Sequence, residues 1–80
     1  MINSVHHSTA YEAIIHNAYD VKKNPTNINW EVLRASFTSY CYLYALSIAE
    51  RNEILQHIAD ITVDGKCDER FEDYMLWLFV

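Results

Sequence analysis

Tyr40-Cys41-Tyr42-Leu43-Tyr44-Ala45-Leu46-Ser47-Ile48-Ala49-Glu50 contains neither glycine nor proline, and how it is read decides the fold. Apolar residues fall on almost every side of it at the roughly 100° per residue of a helix. A helix of that kind lies in the centre of a bundle or in an interface. Its tyrosines can also hold their hydroxyls at a wet rim. The stripe Trp30, Leu33, Phe37, Tyr40, Cys41 and Tyr44 keeps its phase through Ile48, Leu55 and Ile58. That permits one continuous helix of some 33 residues, about 50 Å long, which two short helices could not cover. Against it, Ser47 and Glu50 stand at the spacing of a capping box, in which each side chain satisfies the other's backbone N–H. The box favours a break near Ala45–Ser47, with the unbroken rod as the alternative.

Working outward gives an all-α bundle of three to four helices, at about 9–23, 30–45, 48–62 and 69–79. Thr9 and Glu12 have capping-box spacing and mark the first start, leaving residues 1–8 as a frayed end. Tyr11, Ile14, Ile15, Ala18 and Val21 then share one face, and Glu12, His16, Asp20 and Lys23 the other. Asn24-Pro25 stops that helix, because the residue before proline avoids the α region. Asn27 or Asn29 is the expected cap of the second. Besides its main stripe, the second helix has another made of Val32, Leu43 and Leu46. The third buries Ile48, Ile54, Leu55, Ile58 and Thr62, with Asn52, Glu53, Gln56 and Asp60 wet. Asp64-Gly65 signals a turn. Asp68 caps the last helix, where Phe71, Tyr74, Met75 and Leu78 share a face.

Composition narrows the class. The 80 residues are 51% hydrophobic and 14% aromatic, with one glycine and one proline. Disorder is disfavoured by the first pair of figures. The second pair leaves too few turn residues for a β-sandwich and too few glycines for a P-loop or a dinucleotide-binding loop. A single domain over residues 1–80 is expected. Two cysteines make no disulfide framework, and both read as small reduced hydrophobes. Residues 1–7 lack the basic and apolar regions of a signal peptide. The longest apolar run, Met75–Val80, is far short of the ~20 residues of a membrane span. A cytoplasmic protein with no membrane contact is expected. A chain this short buries only about 60–65% of its unfolded surface. Some of this much apolar area then stays outside the core, and a homodimer is the ordinary outlet.

Charge is lopsided. Residues 1–49 carry three acidic and three basic side chains, whereas residues 50–80 carry eight acidic against Arg51, Lys66 and Arg70. The whole net charge of −5 therefore lies in the C-terminal stretch. Such a chain repels phosphate backbones, so no direct nucleic-acid binding is expected. A helix-turn-helix reading of residues 48–62 fails because Glu50, Glu53 and Asp60 would face phosphates.

Catalytic and metal chemistry find little support in the residues. His6, His7, His16 and His57 show no i, i+4 pair, and no Cys-x-x-Cys exists. Cys41 sits in an apolar helix that disfavours its thiolate. The stretch Asp60–Asp68 places oxygen-bearing side chains at positions 1, 3, 5 and 9 and glycine at position 6, as in an EF-hand loop over this short segment. Position 12, which should be a bidentate glutamate, is Phe71. No enzyme, no cofactor and no metal ligand is expected.

The remaining reading is a small acidic interaction protein, an inhibitor or regulator that binds a basic, nucleic-acid-handling protein partner. In size and charge it is similar to small helical proteins of phages and mobile elements, including DNA mimics. The acidic contact surface would be Glu53, Asp60, Asp64, Asp68, Glu69, Glu72 and Asp73. The aromatic one would be Tyr40, Tyr42, Tyr44, Trp77 and Phe79. A self-assembling helical oligomer and a degenerate EF-hand-like calcium module are the alternatives.

Overall fold

A computed structural model of the chain describes residues 4–66 and 68–75. Four helices follow in order: α1 (Ser4–Lys23), α2 (Asn27–Leu43), α3 (Ile48–Thr62) and α4 (Glu69–Tyr74). The described residues contain no strand. α1 packs mainly on α2 and then on α3, and α4 sits against α2. The longest dimension is 30 Å, well short of the ~50 Å that an unbroken middle helix would need. The radius of gyration, 11.7 Å, is close to the ~11.6 Å expected of 80 packed residues.

The capping box at Ser47 forms and breaks the rod. Ser47 Oγ accepts from the Glu50 N–H at 3.2 Å, and the Glu50 carboxylate accepts from the Ser47 N–H at 2.9 Å. The end of α2 is closed by a motif that the residue types do not advertise. Ala45 takes a left-handed conformation at φ 49°. The Leu46 N–H donates to the Cys41 carbonyl at 3.1 Å, and the Ala45 N–H to the Tyr42 carbonyl at 3.4 Å. That pair of bonds is a Schellman motif, usually built on glycine. Leu46 and Cys41 are both buried, supplying its apolar contact. The Arg51 Nε–H caps the Leu46 carbonyl at 3.2 Å.

Two boundaries differ from expectation. α1 begins at Ser4, so Thr9 lies inside the helix and caps nothing. α2 begins at Asn27, with Thr26 as its cap: Thr26 Oγ1 accepts from the Asn29 N–H at 3.2 Å. Asn29 already lies inside α2, where its N–H is the one capped, and its side-chain amide donates to the Asn24 carbonyl at 2.9 Å. α4 is described over Glu69–Tyr74, with Met75 as its C-cap. Residues 76–80, with Leu78, Trp77 and Phe79, lie outside the described residues.

The core is one cluster. Ile14, Ala18 and Val21 from α1 meet Trp30, Leu33, Phe37, Tyr40 and Cys41 from α2, and Ile54, Leu55, Ile58 and Ala59 from α3. Each large apolar side chain buried there stabilises the fold by about 1.5–3 kcal/mol. Asn17 donates across the α1–α2 seam to Ser36 Oγ at 3.1 Å, and Ser36 donates on to the Leu33 carbonyl at 2.9 Å. Trp30 anchors α4. Its ring stacks on Tyr74 at 5.9 Å and 9°, and meets Phe71 edge-on at 6.3 Å. Its indole N–H has no acceptor among the described residues.

Of the two places open to a helix apolar on almost every side, the bundle centre does not apply, since one face of α2 is left uncovered by the described elements. Of the second stripe read from the sequence, Val32 and Leu43 are exposed and only Leu46 is buried. Ile48, expected inside, is 64% exposed because it is the first residue of α3 and projects from the corner. The cause is layer count: α1 and α4 pack on α2, and no described element covers its opposite face.

Candidate functional site

Two interhelical corners carry the distinctive surface. The α2–α3 corner spans residues 44–47 and the α3–α4 corner residues 63–68. α3 separates them by about 22 Å, at 1.5 Å for each residue.

The first corner is apolar. Tyr42 is 82% exposed and Leu43 73%, and Ile48 follows across the turn. Among the described members of the aromatic set proposed from sequence, Tyr42 is the exposed one. Tyr40 is buried at 3%, and Tyr44 is half-buried. Their rings lie 5.1 Å apart, and Tyr40 also meets Tyr11 at 6.3 Å. Tyr40 is thus core, turned inward by the same stripe that carries Phe37 and Cys41. Burial pushes its phenol above the ordinary tyrosine range, and the neighbouring Tyr44 adds to the shift. Burial likewise raises the Cys41 thiol, against a pull downward from Arg51. A buried thiol held in its neutral form is a poor nucleophile.

The exposed apolar surface continues from this corner along the outside of α2. Ile28 is 74% exposed and Val32 48%, with the exposed Ala35 and Ser39 between them and Leu43. Sequence reading missed Ile28 altogether. Its i, i+4 spacing to Val32 was the available signal, but it stands in what read as a loop.

The second corner is acidic. Asp64 (φ 54°) and Gly65 (φ 76°) are both left-handed. The Val63 and Gly65 N–H groups converge on the Ala59 carbonyl at 2.9 and 3.0 Å. Asp68 then caps α4 by accepting from the Phe71 N–H at 2.9 Å. Asp60, Asp64, Asp68, Glu69, Glu72 and Asp73 are all exposed around this turn, and Glu53 is exposed two helical turns earlier on α3. Asp64 is bridged to Lys22 of α1 at 3.5 Å, an exposed pair worth about 0–1 kcal/mol. Asp60 accepts from Gln56 at 3.1 Å.

The donors of the EF-hand-like stretch do not converge. Asp60 and Thr62 lie in the last turn of α3, and the Thr62 hydroxyl donates to the Ile58 carbonyl at 2.8 Å. Asp64 turns to Lys22 and Asp68 to its own helix. Among the described residues no group of three or more histidines, cysteines or carboxylates could hold a metal ion. His16 lies beside Asp20 at 3.9 Å, and Tyr11 Oη meets His57 Nδ1 at 3.3 Å. Burial and the nearby Glu53 raise the Tyr11 phenol. Cys67 and the side chains of His6 and His7 lie outside the described residues. No helix among those described is long and apolar enough to cross a membrane. Comparison with protein-family models, with curated proteins and with solved structures finds no match to this chain.

Proposed function

We propose that this chain is a small non-enzymatic interaction protein, an inhibitor or regulator that holds a basic protein partner on its acidic α3–α4 corner. The observation that carries this reading is the exposure of every carboxylate from Asp60 to Asp73 around one tight turn. The two cations within that stretch are Lys66 and Arg70. A focused acidic surface of this kind attracts basic surfaces and speeds their encounter. It repels nucleic-acid phosphates, so a partner that itself handles nucleic acid fits better than nucleic acid does. The exposed outer face of α2 serves as a second contact surface.

The test is capture of the partner from the native host, followed by binding measured at about 50 and about 500 mM salt, where screening shortens from beyond 10 Å to a few ångströms. The expected partner is basic, and its affinity falls at least about tenfold over that range. Glu69→Lys with Glu72→Lys and Asp73→Lys abolishes the interaction. A partner held equally well by that triple variant and at high salt removes the acidic corner from the mechanism.

A further inference from the structure

We infer that the outer face of α2 is covered by a second copy of this chain, the two α2 helices crossing antiparallel about a two-fold axis near Ala35. The inference rests on reading that face as a contact surface, and it names the occupant.

Ile28, Val32, Ala35, Ser39, Tyr42 and Leu43 lie within about 60° of one line along the helix. All six are exposed, and none carries a charge. Glu31 stands at the margin, 3.5 Å from Arg34 of the same chain. A basic partner would find no carboxylate to meet on this line. A second copy finds no like charge to repel it. Residues 1–49 sum to zero formal charge, so pairing through α2 uses none of the surplus anions of residues 50–80.

The pattern is also self-complementary. A two-fold interface requires that if one residue meets another, the reverse contact also exists. Positions 28, 32, 39 and 43 are symmetric about a point between residues 35 and 36. Antiparallel pairing sets Ile28 against Leu43 and Val32 against Ser39 on the other copy, twice over. The bulky residues fall at the two ends and Ala35 at the crossing point, where small side chains let helix axes approach to the near end of the ~8–10 Å range.

Size is adequate for a specific but moderate dimer. A standard interface takes about 10% of a small protein's surface. Here the surface is 5280 Å². The smallest specific contact, on the order of 1,000 Å² for the pair, would ask about 500 Å² of each copy. The dimer should dissociate on dilution.

Sedimentation equilibrium of the full chain across a wide concentration range is the test. The expected mass climbs from 9.4 kDa towards twice that value as concentration rises. Ala35→Arg, at an exposed position, should keep the helical circular dichroism. It should raise the dissociation constant at least about 100-fold, because it sets two like charges at the crossing point. Ile28→Glu combined with Leu43→Lys should dimerise, since antiparallel pairing places those opposite charges face to face. A wild-type mass of 9.4 kDa throughout, or a dimer indifferent to Ala35→Arg, overturns the inference. A dimer lost in the charge-paired variant overturns the antiparallel arrangement. Loss of the host partner by Ala35→Arg in a chain that is always monomeric would leave α2 as a contact surface while removing the second copy from it.

Discussion

The two corners of this bundle reverse the chain by related means and display opposite surfaces. Each follows a helix ended by a left-handed residue, Ala45 in one and Asp64 with Gly65 in the other. Each leads into a side-chain cap that accepts from the N–H three residues on, Ser47 and Asp68 respectively. One then exposes Tyr42, Leu43 and Ile48, and the other exposes a ring of carboxylates. Among its described residues the acidic corner exposes no apolar side chain, so turning the chain does not require such side chains. Their exposure at the first corner calls for an explanation outside the fold, and a binding partner provides one.

Alkali tests the buried side of the apolar corner. Folded-state tyrosine ionisation is resisted at Tyr40, next to the apolar corner, where burial raises the phenol above 10.0. A group raised in the folded state contributes stability that is intact below its unfolded value and lost as pH climbs through its folded value. The thermal midpoint is therefore expected to fall as pH climbs past 10.0, together with tyrosinate absorbance, and Tyr40→Phe should move that fall to higher pH. An unshifted alkaline transition in the variant would detach Tyr40 from it.

Among the substitutions the largest cost is expected at Leu46, where truncation to alanine should cost about 2–5 kcal/mol, as buried leucine truncations do. The neighbouring Leu43→Lys should change stability by no more than about 0.5 kcal/mol in the monomer, as for an exposed site. Urea unfolding of both at low concentration measures the pair. A Leu43 cost equal to that of Leu46 would make the apolar corner structural and end its claim as a contact surface.

The turn residues come third. Ala45→Gly should raise stability by about 1 kcal/mol by relieving the left-handed strain on a side chain. Gly65→Ala should lower it by about 1–2 kcal/mol, since a Cβ there would both sit at φ 76° and approach Asp60 Oδ1 to 3.1 Å. Opposite signs at the two corners are the outcome to look for in thermal melts. The caps are smaller still, with Ser47→Ala and Asp68→Ala each costing about 1 kcal/mol. Since Ser47 closes a reciprocal box and Asp68 a single bond, the first should be the more costly.

How far these features could be read in advance follows from which ones have a side-chain signature. The caps at Ser47 and Asp68 were legible because an oxygen at the right offset is enough to specify them. The Schellman motif at Ala45 was not, since glycine usually marks it and alanine has no pattern of its own. Thr26 lost out in the reading to Asn27 and Asn29, equally good cap residues. The choice is made by the backbone: Thr26 is the extended residue at the start of α2, and the Asn29 N–H falls three residues on, against its hydroxyl. The main stripe of α2 was legible as a stripe, but the number of helices available to cover its other side was not. That is why Val32 and Leu43 emerged on the surface. The acidic half could be counted from the sequence, whereas its gathering at one corner depends on the sharp turn at Asp64-Gly65.

α4 has six residues, fewer than an isolated helix needs in water. It persists because Phe71, Tyr74 and Met75 close on Trp30 and the core beside it. Half of the acidic surface is therefore assembled only while an aromatic clamp stays shut, and this segment should open at lower free energy than the bundle as a whole. A ligand that recognises the carboxylates in register also holds the clamp closed. Slower amide exchange at Phe71 and Met75, whose side chains are buried, would then be a sign of occupancy.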